Sequence, residues 1–145
     1  MLGPAFAAIR SHIESNYTAL PVRWANELWG DINPQQMGQP FVELEIIGGT
    51  NYLRGFSKVG NRLWIHSGLI RFYIFAPLNI GMGDAIATAD DFALFMERTE
   101  FGQVPALGQT IRTLDFSTND NVAMDEAGNY SVLMASVPFD FYYTA

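Results

Sequence analysis

The run Arg62-Leu-Trp-Ile-His-Ser-Gly-Leu-Ile-Arg-Phe-Tyr-Ile-Phe-Ala-Pro77 limits the possible folds more than any other stretch of the chain. It is the longest segment that reads as a strand, and Pro77 ends it. From Leu69 to Ala76 both alternating sets are apolar: Leu69, Tyr73 and Phe75 on one, Ile70, Phe72 and Ile74 on the other, with only Arg71 interrupting. A strand apolar on both sides belongs inside a sheet, covered on each face by a helix layer or by another subunit. Gly81-Met-Gly-Asp84 then opens the most convincing helix. Central strand, glycine turn and packed helix are the frame to which the other segments are fitted.

Ahead of that frame, Gly3-Pro4 puts proline where a first helical turn tolerates it. Phe6, Ile9, Ile13 and Tyr17 share one stripe, so Ala5 to about Tyr17 is an amphipathic helix that Leu20-Pro21 stops. Val22 to Asn26 alternates as a short strand. Gly30 to Pro40 is loop, with Asn33-Pro34 and Gly38 as breakers. Phe41 to Ile47 is a strand with Val42, Leu44 and Ile46 inward and Glu43 and Glu45 outward. Gly48-Gly49 breaks or bends it.

Tyr52 to Val59 reads as a weaker strand, and Gly60-Asn61 as a hairpin loop into the central strand. A loop that short gives a long arm, with Arg54 and Lys58 on one face and Arg62 across the turn. These are three of only eight basic residues in a chain of net charge −7. Such an arm can dock on an acidic neighbour. Equally, charges at a hairpin tip discourage unwanted strand pairing.

From Asp84 to Arg98 the residues Ala85, Ile86, Ala89, Phe92, Ala93, Phe95 and Met96 form the docked arc of the second helix. Ala87, Asp90, Asp91, Leu94 and Arg98 form the other side. Asp84 is placed to cap the helix, and Asp90 and Asp91 read as a solvated face. Gly102 to Gly108 is loop and Gln109 to Ser117 a strand. Thr118-Asn-Asp-Asn121 and Asp125-Glu-Ala-Gly-Asn129 are turns, and Tyr130 to Tyr143 is the closing strand. The sum is an α+β fold, a mainly antiparallel sheet with two helices packed on it and one long hairpin arm. Residues 1–145 read as a single domain, with no repeat or linker.

Function classes narrow by elimination. The acidic balance disfavours a protein that grips nucleic acid through phosphate contacts. Cysteine is lacking, so thiolate and disulfide chemistry are out. No apolar run is long enough to span a membrane and no basic-then-apolar leader is present, which predicts a soluble, non-secreted protein. His12 and His66 are too far apart for a local metal motif. Gly81-x-Gly83 lacks the third glycine of a dinucleotide loop, where Ile86 stands, and Asp84 would face the phosphates. Glu43 and Glu45 share a strand face as an acid/base pair might, yet nothing marks a pocket around them. No catalytic, cofactor-binding or metal-ligating set emerges. Aromatic residues make up 14% of the chain against 16% charged. That balance gives either an aromatic-rich core or side chains shared between subunits.

Several stretches resemble the tail terminator-like proteins of long-tailed bacteriophages and gene-transfer particles. Ala7-Ala8-Ile9-Arg10 leads to Pro21-Val22-Arg23-Trp24-Ala25-Asn26, similar to the family's Pro-Val-x-Trp-x-Asn segment. Gln39-Pro40-Phe41-Val42 is similar to its Pro-aromatic strand start. Gly68 to Pro77, then Gly81-Met-Gly-Asp-Ala85 and Ala89-Asp90, follows its glycine–strand–proline–glycine–helix core. Tyr130 and Val137-Pro-Phe-Asp-Phe141 resemble its last strand. The region from Gly48 to Gly60 and the acidic segment Asp115 to Glu126 depart from the pattern.

The resemblance implies a non-enzymatic virion protein without cofactors. Its copies would form a hexameric ring on the head-proximal end of the tail tube, halting tube growth and joining the tail to a head connector or stopper. Its partners would be copies of itself, the major tail tube protein and that connector, with DNA passing through the lumen unbound and no membrane involved. It would act in the virion tail after assembly in the host cytoplasm. A cyclic ring has head-to-tail contacts, so two different patches must match. Arg54, Lys58 and Arg62 are the candidates for one patch and Asp90 and Asp91 for the other. Another tail or neck subunit, such as a tail-tube or tail-completion protein, is the alternative within this class. A small-ligand-binding α+β protein, with aromatics lining a pocket, is the alternative outside it.

Overall fold

The computed structural model describes residues 2–27, 39–55, 57–77, 83–104, 108–114, 124–127 and 130–145. The elements run α1 (Leu2–Asn16), β1 (Val22–Trp24), β2 (Phe41–Leu53), β3 (Leu63–Pro77), α2 (Gly83–Met96), β4 (Glu100–Val104), β5 (Gln109–Thr113), β6 (Met124–Ala127) and β7 (Tyr130–Thr144). The strands form one seven-stranded sheet in the order β1-β2-β3-β7-β5-β4, with β6 alongside the start of β7. Only the β1–β2 pair is parallel; the other pairs are antiparallel. The fold is α+β, as the segment pattern predicts.

β3 is the centre of the sheet. It pairs with β7 from Leu63↔Thr144 to Pro77↔Tyr130 without a break in register, and with β2 on its other side. Its even-numbered residues Ile70, Phe72, Ile74 and Ala76 are buried with Val42 and Leu44 of β2 and Leu133, Ala135, Val137, Phe139 and Phe141 of β7. Both helices cover this face. α1 contributes Ala5, Ile9 and Ile13, and α2 contributes Ala85, Ala89, Phe92 and Met96. The Phe72 and Phe92 rings meet at 4.5 Å.

Of the two covers that the sequence allows, the helix layer lies on the even-numbered face. Leu69, Tyr73 and Phe75 are half-buried, and among the described residues no helix lies over them. Among the described residues, neighbouring strands contribute contacts to the odd-numbered face. Phe41 stacks on Phe75 at 4.5 Å, Arg23 pairs with Glu43 at 2.7 Å, and the Tyr73 hydroxyl donates to Glu45 at 3.1 Å. Glu43 and Glu45 therefore serve this half-buried face and are less solvated than strand alternation implies.

Several expectations from the sequence need correction. Asp84 lies inside the first turn of α2, after Gly83, so it complements the helix dipole and does not cap it. Ile86 is 48% exposed, off the docked arc, because the buried stripe runs through Ala85, Ala89, Phe92, Ala93 and Met96. The segment read as a loop from Gly102 contains most of β4, which pairs with β5. Gly102, at φ +67°, lets the strand shift register there, and an added Cβ would stand 2.8 Å from that of Ala8. The polar cluster from Asp125 begins within a strand, since Met124 to Ala127 pair with β7. The strand expected to reach Ser117 ends at Thr113, and residues 115–117 lie outside the described ones, as do the loop 30–38, Gly81-Met82 and the turn 118–121.

Both histidines pack against neighbouring elements. His12 stacks on Phe101 at 4.1 Å and 7° and on Phe95 at 5.4 Å, bridging α1, α2 and β4. His66 is 4% exposed, with Nδ1 2.8 Å from Asn51 Oδ1. Burial lowers the pKa of both below the ordinary 6.5; for His66, positive charge at the N-terminus adds to the effect. Folded-state pKa values below those of the unfolded chain mean that the unfolded state takes up protons first. Stability is then greatest above about pH 6.5 and falls as the pH drops through the interval below it, by at most about 1.4 kcal/mol per pH unit for each histidine. Urea midpoints measured between about pH 7 and 5.5 should decline in the wild type, and His12→Phe or His66→Gln should each flatten that decline.

Candidate assembly surfaces

Between β2 and β3 the chain forms the projecting arm. Strand pairing persists past Gly48-Gly49, with a register shift between Gly48 and Asn51, and reaches Leu53↔Trp64. There the expected hairpin stops. Residues 54, 55 and 57–62 are outside the strands, so Arg54 and Lys58 do not alternate along a strand and Gly60-Asn61 is not a two-residue turn. Backbone hydrogen bonding explains this. Arg54 N–H still donates to Leu63 O, but Arg62 exchanges both of its backbone bonds with Ala145 beyond the end of β7. Gly55 and Ser57 have little preference for strand, and a small turn, Asn61 N–H to Lys58 O with Gly60 at φ +96°, forms the tip.

All three basic residues lie on this connection. Arg54 and Lys58 are exposed and Arg62 is half-buried. The Arg54 guanidinium sits 5.7 Å from the Tyr52 ring centre, and Arg62 Nε donates to Ser57 O at 3.3 Å. Among the described residues none of the three is ion-paired, whereas Arg10, Arg23 and Arg112 all hold carboxylates. Val59, next to Lys58, is 82% exposed, and Tyr52, Leu53 and Leu63 are each about two-fifths exposed at the arm's root. A polar contact set anchors that root: Asn51 Oδ1 accepts from Tyr143 Oη at 3.3 Å besides facing His66.

Asp90 and Asp91 are exposed on the outer side of α2, as the helical periodicity predicts. They share that side with Ile86 and Leu94, the latter 70% exposed. Within one copy the arm and this helix face are far apart. Phe92, next to Asp91, packs on Phe72, whereas the arm leaves β3 at Leu63. At about 3.3 Å per residue that part of β3 spans roughly 30 Å. The basic and acidic candidates are not brought together in one chain.

A long apolar helix and a metal cluster are both lacking among the described residues. Hollows among the described residues are open to solvent. One borders the arm's root at Asn51, Val59, Arg62, Trp64 and Tyr143; another lies between Glu100, Arg112, Thr113 and Leu114.

The fold has a solved counterpart. A protein structure whose name carries no functional description matches with a TM-score of 0.66 at 14% identity, over 100% of this chain and 98% of its own. That likeness is one of fold alone. No family model and no curated protein matches the chain.

The exposed apolar side chains at the arm and on α2 were not legible as a pair. Val59 reads as part of a strand and Ile86 as core, and only the backbone path shows both to be outward-facing.

Proposed function

We propose that this chain is a structural virion-assembly protein of the tail terminator kind. Copies of it close a ring, six to a turn, on the head-proximal end of a phage tail tube. The ring stops addition of tube subunits and joins the tail to the head's connector or stopper, with DNA passing through the lumen unbound. The chain acts in the virion, after assembly in the host cytoplasm, and catalyses nothing.

The observation that carries this reading is the separation of the basic arm, which holds no ion pair among the described residues, from the acidic face of α2. Two patches of opposite charge at distant places on one subunit are what a head-to-tail ring requires, since each copy must offer both halves of the junction. The motif resemblance supports it independently. The half-buried Leu69 and Tyr73 on the odd face of the sheet add surface suited to tube or connector contacts. An acidic chain, net −7, is suited to a channel through which DNA slides without sticking.

The test is direct. Purified protein, alone and mixed with the major tail tube protein, should run above monomer mass on size exclusion and give annular particles in negative stain. A protein that is monomeric under both conditions would overturn the proposal. Rings that cap tubes distinguish a terminator from another tail or neck subunit, which would extend tubes or leave their ends open.

A further inference from the structure

The arm and α2 carry matching apolar features as well as opposite charges. On α2, Ile86, Asp90 and Leu94 follow one another at intervals of four, so they form one ridge along the exposed side, with Asp91 beside it. The ridge alternates apolar, acidic, apolar. At 70% and 48% exposure, Leu94 and Ile86 are unusual on a helix whose other face is fully docked. At the arm's tip the most exposed large apolar side chain described, Val59, is flanked by Lys58, with Arg54 entering the same connection and Arg62 leaving it. Nothing lies within 4 Å of where a Cβ on Gly60 would be, so the tip is open on that side, while Val59 also borders the hollow at the arm's root. Burying Val59 between two aliphatic side chains while Lys58 and Arg54 reach Asp90 and Asp91 would satisfy both surfaces at once. Neither can do so within one copy, because about 30 Å of strand separates them.

We propose that the occupant of the arm is a second copy of this chain: the tip around Val59 seats on the Ile86–Asp90–Leu94 ridge of the neighbouring subunit's α2. The contact rests on the ring reading above and deepens it, assigning the subunit junction to these two elements and leaving the odd face of the sheet for other partners. The interface is heterologous, arm to ridge, and repeats around the ring.

A charge swap tests it. Arg54→Glu with Lys58→Glu makes an acidic arm; Asp90→Lys with Asp91→Lys makes a basic ridge. Each double variant alone juxtaposes like charges at every junction and should weaken self-association at least tenfold, as read by sedimentation. Mixing the two restores opposite charge at both kinds of junction, acidic arm on basic ridge and basic arm on acidic ridge, so rings should return. Val59→Asp and Leu94→Asp, singly, should also release monomers, and circular dichroism confirms that each variant is folded. Should folded variants keep their rings, or the mixture fail to recover them, the arm–ridge contact is overturned while the ring reading stands. Loss of tube binding by the acidic-arm variant with its rings intact would equally overturn it, placing the arm on the tube. A wild-type protein that is monomeric with and without the tube protein would overturn the ring reading itself, and this contact with it.

Discussion

Phe72→Ala should destabilise the fold by about 3–5 kcal/mol, the range seen when a large aromatic is truncated in a core that cannot collapse. Phe72 is fully buried and lies midway along β3, between Leu44 of β2 and Ala135 of β7. Ala135 is already small, so the sheet has nothing to move into the vacated space from that side. Above it sits Phe92, ring to ring at 4.5 Å, and Phe92 in turn meets Tyr17 edge-on at 5.0 Å. Removing the Phe72 ring therefore unseats α2 and, through Tyr17, the end of α1. Against a typical stability of about 5–15 kcal/mol, the loss leaves a marginal protein. Urea denaturation of Phe72→Ala beside wild type measures it directly. Lys58→Glu, on the exposed arm, is the comparator and should stay within about 0.5 kcal/mol. A small shift for Phe72→Ala would mean that β3 is not the centre of the core.

Such arguments show which parts of the molecule its sequence makes legible. α1 follows from its helical apolar stripe, and β3 and β7 from long apolar and aromatic runs. The stretches that resemble the terminator family also build the interior: Trp24, Phe41, Val137, Phe139 and Phe141 are all buried. Patterns of this kind specify a scaffold and say little about its surface. β4 was hidden because a strand of five residues with a positive-φ glycine in its middle has the composition of a loop. The pairing of Met124 to Ala127 was hidden because a polar composition does not prevent backbone hydrogen bonds to β7. In the arm, local composition was legible and conformation was not. Its charges are visible in order, but its shape depends on Arg62 bonding to Ala145, a partner distant in sequence. Ile86 was misplaced by one position on the helix wheel, since an arc drawn from apolar residues alone cannot know which edge the sheet will fill.

The same reasoning separates glycines that look alike in the sequence. Gly68 in β3 faces the helices, paired with Gly48 on one side and Phe139 on the other. A Cβ there would stand 2.5 Å from the carbonyl oxygen of Ile47 and 2.8 Å from the ring of Phe139. The ring could turn only by pressing into neighbours in a filled core, and the oxygen belongs to backbone held in the β2–β3 ladder. Gly68→Val should therefore destabilise by about 3 kcal/mol, the upper part of the overpacking range, and should loosen the arm, whose root depends on that ladder. Gly48→Ala is the informative contrast. Its Cβ would meet the Leu2 side chain at 3.2 Å and His66 Nε2 at 3.3 Å, and Leu2 is more than one-third exposed and can swing aside. Denaturant unfolding should rank Gly68→Val well below Gly48→Ala, and amide exchange in the Gly68 variant should rise first at Asn51 to Leu53 and at Leu63 to His66. Equal stability of the two variants would show that Phe139 does not lie across Gly68 and that the arm's root is held by other contacts.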